Sequence, residues 1–125
     1  MRWISKRALL LLNDVSLAEH GGASGIRDEG LVESVLSRPE NLAAYGEPDI
    51  AALAAAYGFG LAINDPFIDG NNRAAFLAVG LFLMKNGQRL VVSQAEATAT
   101  VLALAGSEIT EEAFAQWIRD HLQVR

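Results

Sequence analysis

Ten residues between two strongly apolar stretches carry most of the chemistry open to this chain: "NDPFIDGNNR", residues 64–73. Asp65 and Asp69 are its acids, Arg73 is its cation, and Gly70, Asn71 and Asn72 lie between Asp69 and Arg73. If a helix starts near Asn71, the N–H groups of Asn71, Asn72 and Arg73 lack intrahelical partners and carry partial positive charge. That combination favours a phosphate. Gly70 has no Cβ to keep an anion off the backbone. Arg73 can grip phosphate oxygens with two N–H groups at once. Asp69 has the same sign as a phosphate, so it suits such a site only through a bridging Mg²⁺. Two competing roles stay open. Asp69 could cap the helix as part of an ordinary Asp-Gly turn, and Arg73 could pair with a carboxylate elsewhere. Phe67, apolar among polar neighbours, is the expected peg of the loop in the core.

Such a loop needs rigid supports. "IAALAAAYGFGLAIN" (50–64) precedes it and "AAFLAVGLFLM" (74–84) follows. Both fall short of the ~18 residues of a membrane span and read as buried helices. Asp49 after Pro48 opens the first; the second begins near Asn71 and ends at Lys85 and Gly87. Upstream, Ser5 caps a helix to about His20, where "HGGASG" stops it and His20 complements the helix C-terminus. Asp28 caps the next helix, with Leu31, Val32, Val35 and Leu36 on one face. Pro39 is expected to end it, leaving 40–48 as a loop with room for one helical turn. Downstream, "QRLVV" (88–92) reads as extended. Ser93 and Glu96 form a capping box for a helix to about Ala105. Thr110, with Glu111 and Glu112, opens a sixth helix ending near a solvated His121. The expectation is one all-α domain over residues 1–125, a bundle of about six helices with the polar loop between two central ones.

Composition narrows the function classes. A chain of 125 residues, 51% hydrophobic and 20% charged, supports a packed core. A net charge of −5 weighs against a general nucleic-acid binder, so no direct nucleic-acid partner is expected. The absence of cysteine excludes disulfides, thiolate catalysis and cysteine-ligated metals. The N-terminal apolar run is interrupted by Asn13 and Asp14, too early for a secretion signal. The expected compartment is the cytoplasm, with no membrane partner.

The residues also carry a family resemblance. "DPFIDGNNR" resembles the Fic/Doc signature, H-P-F-x-x-G-N-x-R, which lies on a loop between two helices and runs into the second. The stretch from "EHGGASGIRDEG" to "GLAIN" resembles the segment before that motif in the short Doc, or death-on-curing, branch, and "LFLMKNG" resembles the end of the helix after it. The resemblance implies an all-α fold, a nucleotide site and ATP with Mg²⁺ as cofactors. Fic members transfer AMP to a hydroxyl of a target protein. Doc toxins phosphorylate a translation elongation factor. By the same resemblance Asp69 holds Mg²⁺, Gly70, Asn71 and the backbone of Asn72 line the phosphate site, Arg73 grips the phosphates and Phe67 anchors the loop.

The chain departs from the pattern in three places. Position 65 is aspartate, where the family has its general-base histidine. Asn72 stands where Doc toxins have lysine and Fic transferases glycine, so it separates neither kinase from AMP transferase. Asn13 replaces the histidine of the Doc "L-H-D". Carboxylic acids titrate near ~3.9 and imidazoles near ~6.5, so an aspartate is the weaker base at neutral pH. Protein kinases nonetheless use an aspartate to accept the hydroxyl proton, because phosphoryl transfer rests mostly on positioning and charge neutralisation. Three readings of Asp65 stay open: a lost base, a substitute base and a structural loop residue. The inhibitory S/T-x-x-x-E-G/N pattern of many Fic proteins has one partial match, Ser107 to Glu111, followed by Glu112. It reads more simply as a capping segment. Inhibition would then come from a separate antitoxin whose tail folds as a helix in a groove.

Overall fold

Small residues make the central helix approachable from every side. In the computed structural model, which describes all 125 residues, the elements run α1 (Lys6–His20), α2 (Glu29–Tyr45), α3 (Ile50–Asn64), α4 (Asn71–Lys85), β1 (Gln88–Leu90), α5 (Gln94–Ala105), α6 (Glu111–Asp120) and β2 (Leu122–Val124). α3 packs against α4, α2, α6 and α5. Ala51, Ala54, Ala55, Tyr57 and Leu61 of α3 are fully buried. At Gly58 a Cβ would lie 2.7 Å from Phe114 of α6 and 3.0 Å from Val79 of α4, so glycine sets the spacing of three helices. Tyr57 brings a hydroxyl into this core, where it accepts the Ile4 N–H at 3.0 Å; burial pushes its titration up.

Five expected N-caps form. Ser5, Asp28, Asp49, Ser93 and Thr110 each accept the N–H three residues on, at 2.9–3.1 Å. Other expectations need correction. Pro39 does not end α2: the helix continues through it to Tyr45. An internal proline removes one backbone hydrogen bond. Burial of Pro39 itself, with Leu36 and Ala43 packed against the core on either side, holds the helix together. The capping box of α5 is half made, because the Glu96 carboxylate takes the Trp117 indole N–H at 3.2 Å instead. Nor is His121 merely solvated: its Nδ1 lies 2.7 Å from the Trp117 carbonyl and its Nε2 3.2 Å from Glu96. Finally, residues 88–90 are extended because residues 122–124 pair with them antiparallel, Leu90 opposite Leu122. Both leucines pack on the core, which the sequence pattern of so short a strand did not disclose. No helix is long and apolar enough to cross a membrane.

Candidate functional site

The loop between α3 and α4 is pinned from three directions. Asp65 caps the C-terminus of α3 in the left-handed region, φ 46° and ψ 60°, which aspartate tolerates better than most residues. Arg27, from the α1–α2 connection, donates through Nε to the Asp65 carbonyl and through Nη2 to the Asn64 carbonyl, both at 2.6 Å. The Pro66 carbonyl accepts the N–H groups of Arg27 and Asp28, and Ile68 N–H donates to the Gly25 carbonyl. Phe67, 1% exposed, forms an isolated antiparallel bridge with Ile26 and plugs the loop into the core as expected. From the other side the Asn71 carboxamide clasps Phe67, accepting its N–H and donating to its carbonyl at 3.0 Å each. With its carboxamide committed to the loop, Asn71 keeps its backbone N–H free.

The start of α4 is left open. Gly70 is the N-cap, at φ +82°, and supplies no side-chain acceptor. The N–H groups of Asn71, Asn72 and Arg73 have no acceptor within the protein. Arg73 is exposed and pairs with no carboxylate, which removes the ion-pair reading of that residue. The helix-cap reading of Asp69 also fails. Its Oδ2 accepts the Ala23 N–H at 2.7 Å, and its Oδ1 has no protein partner. Behind Gly70, a Cβ would lie 3.1 Å from Asn13 Oδ1 and 3.2 Å from Leu17. Asn13 is 1% exposed, and that oxygen has no hydrogen-bond partner.

All six residues expected at the site, Asp65, Asp69, Gly70, Asn71, Asn72 and Arg73, line one depression of about 480 Å³, with Arg27 and Phe67. Larger depressions lie elsewhere, one of about 520 Å³ on α2 and the α2–α3 connection and one of about 850 Å³ between α2, α3 and α6. There the arginines already have partners: Arg38 on Glu111, and Arg119 on Asp49 at 2.6 Å. Size alone does not mark the site; unpaired donors do. The same Arg38 contact ties Glu111 of α6 to α2. His20, at the end of α1 near Glu19, lines a smaller pocket of about 190 Å³ reached past Asn72 and Arg73. Reading the sequence did not single out Arg27 or Ala23. Both act on backbone or loop groups 37–46 positions away, a relation no local pattern encodes.

Fit to a phosphate and a divalent cation can be judged from these groups. Three free amides, a free guanidinium and a glycine with no Cβ suit a phosphate. The chain has no cluster of three metal-ligating side chains. Mg²⁺ ordinarily takes one or two carboxylates and fills its other positions with phosphate oxygens and water, so Asp69 alone suits a nucleotide-borne Mg²⁺.

Comparison with known proteins shows the family of the chain. Residues 3–83, from before α1 to near the end of α4, match the family model described as Fic/DOC family. The chain is 34% identical over 120 residues to "Protein kinase doc" of Escherichia phage P1, covering 95% of this chain and 94% of that protein. It is 38% identical over 73 residues to "Toxin Doc" of Mycolicibacterium smegmatis, covering 56% of this chain and 55% of that protein.

Proposed function

The chain belongs to the Fic/Doc family, and from that premise we propose that it is a Doc-type toxin transferring phosphate from ATP to a protein hydroxyl. Its target would belong to the translation machinery, in the elongation-factor class, and a separate antitoxin would hold it in check in the cytoplasm. The observation that carries this reading is the open start of α4, where free amides and the unpaired Arg73 converge with Asp69 on one depression. The curated names of its relatives, a protein kinase and a toxin, support the same class.

The Asn71, Asn72 and Arg73 amides would bind phosphate oxygens, and Gly70 would let them approach. Arg73 would neutralise charge on the group in transfer. Asp69 would bind Mg²⁺ through Oδ1. Bound Mg·ATP supplies the phosphoryl group and the cation that offsets its charge. Arg27 and Asn71 keep the loop rigid, so the acceptors and donors need not reorganise during transfer. Asp65 would accept a hydrogen bond from the attacking hydroxyl. As a carboxylate it is a weak base, so transfer by the native chain is expected to be slow.

A second reading has Asp65 in its favour: a binding domain that keeps the nucleotide and antitoxin sites without transfer. AMP transfer is the third outcome, because Asn72 matches neither branch. Cell lysate incubated with γ-labelled and α-labelled ATP, in parallel, separates all three. The expectation is γ-label on one protein with Asp65→His, and about 10²–10⁴-fold weaker labelling with the native chain. Label from the α-position alone overturns phosphotransfer in favour of AMP transfer. No label from either nucleotide with either protein leaves the binding domain.

A further inference from the structure

The α1–α2 connection meets the motif loop a second time, at Asp69. Ala23 N–H donates to Asp69 Oδ2 at 2.7 Å. The approach depends on Gly22: at φ +123°, its added Cβ would lie 2.7 Å from Leu17 Cδ2 and 3.2 Å from Asp69 Cβ. One residue beyond Ala23, the Ser24 hydroxyl donates to Asp14 Oδ1 at 2.7 Å and ties the segment back to α1. Asp69 pairs with no cation and caps no helix, so Ala23 is its sole protein donor.

An exposed aspartate with no partner rotates among staggered rotamers. A backbone N–H held at both ends by α1 selects one orientation, and a charge-assisted hydrogen bond is strong enough to maintain it. With Oδ2 occupied, Oδ1 is the oxygen left for a metal. Resting on the reading of Asp69 as the Mg²⁺ ligand, we infer that residues Gly22–Ser24 form a positioning strap. Ala23 N–H presents Asp69 Oδ1 to the Mg²⁺ that a nucleotide carries, Gly22 allows the close approach, and Ser24 with Asp14 fixes the strap in place. Ala23 is thus a positioning residue that works through Asp69, and it leaves the metal-free contacts of the phosphates with Arg73 and the amides untouched.

Calorimetric titration with AMP-PNP, once with Mg²⁺ and once with EDTA, tests this. The proteins are the native chain, Ala23→Pro, which removes the donor, Ser24→Ala, Asp69→Asn, and the Ala23→Pro/Asp69→Asn double variant, each checked by thermal melting. The Mg²⁺-dependent gain in affinity should fall about tenfold in Ala23→Pro and less in Ser24→Ala, with affinity in EDTA unchanged. In the Asp69→Asn background, Ala23→Pro should change nothing further. Equal losses with and without Mg²⁺, or a full additive effect in the double variant, overturn the strap while leaving the nucleotide site intact. Should Ala23→Pro fail to fold, an unchanged Mg²⁺ gain in Ser24→Ala overturns it instead. A native chain whose Mg²⁺ gain equals that of Asp69→Asn overturns the metal role of Asp69 and the strap with it. A native chain that does not bind AMP-PNP at all overturns the nucleotide reading itself.

Discussion

α3 and α4 are both 15 residues long and pack side by side, yet their starts are finished in opposite ways. At the start of α3, Asp49 accepts the Ala52 N–H at 2.9 Å, and Arg119 of α6 donates two hydrogen bonds to the same carboxylate. Those bonds hold the Asp49 carboxyl below its usual range, against the opposing effect of partial burial. At the start of α4, Gly70 offers no side-chain acceptor and Arg73 has no carboxylate. At one helix start a carboxylate of the fold takes an amide and an arginine; at the other no side chain takes an amide, and the arginine has no carboxylate. Under the proposed function, that difference would separate residues that serve stability from residues that serve binding.

Exchanging the roles of the two arginines should produce the largest effect. Arg73→Ala is expected to weaken nucleotide binding about 100-fold, the scale of one or two charge-assisted hydrogen bonds, with little change in melting temperature. Arg119→Ala should leave nucleotide affinity unchanged in the same titration. Equal losses in the two variants would erase the distinction. A smaller effect is expected at the cap. Gly70→Ala forces a side chain into φ +82°, against Asn13 and Leu17, and should lower stability to urea by about 1–2 kcal/mol. An unchanged urea midpoint would show that the open cap carries no strain.

The smallest effect belongs to α3. Asp49→Asn keeps a capping oxygen but loses the ion pair, so the cost at neutral pH should stay below about 1 kcal/mol for a pair this exposed. The sign with pH follows from the depressed titration of Asp49. Its contribution is fully present above the unfolded-state value of about 3.9, and disappears as pH falls through the lower folded-state value. Urea melts of native and variant chains should therefore converge in acid. A gap that widens in acid would contradict the assignment.

The caps were legible because they are local: an Asp, Ser or Thr three residues before a free N–H is a relation written in sequence. The motif loop was legible for the same reason, since its donors and acids lie within ten residues. Pro39 misled because a penalty for one lost hydrogen bond says nothing about the packing that offsets it. Arg27 and Ala23 were hidden for a different reason. Their partners include backbone carbonyls and the carboxylate of a distant loop, and only the packing of α1 and α2 against α3 and α4 brings them together. Asn13 could be read as a departure from the family pattern, but not as the buried oxygen behind Gly70.

The central claim is that the first turn of α4 with Arg73 is the phosphate site. Amide chemical shifts followed during titration with Mg·AMP-PNP test it most directly. The account predicts saturable shifts at Gly70, Asn71, Asn72 and Arg73, with Ala51 and Ala52 at the start of α3 unmoved. Saturable binding that leaves Gly70–Arg73 unmoved, or shifts the start of α3 equally, would contradict it.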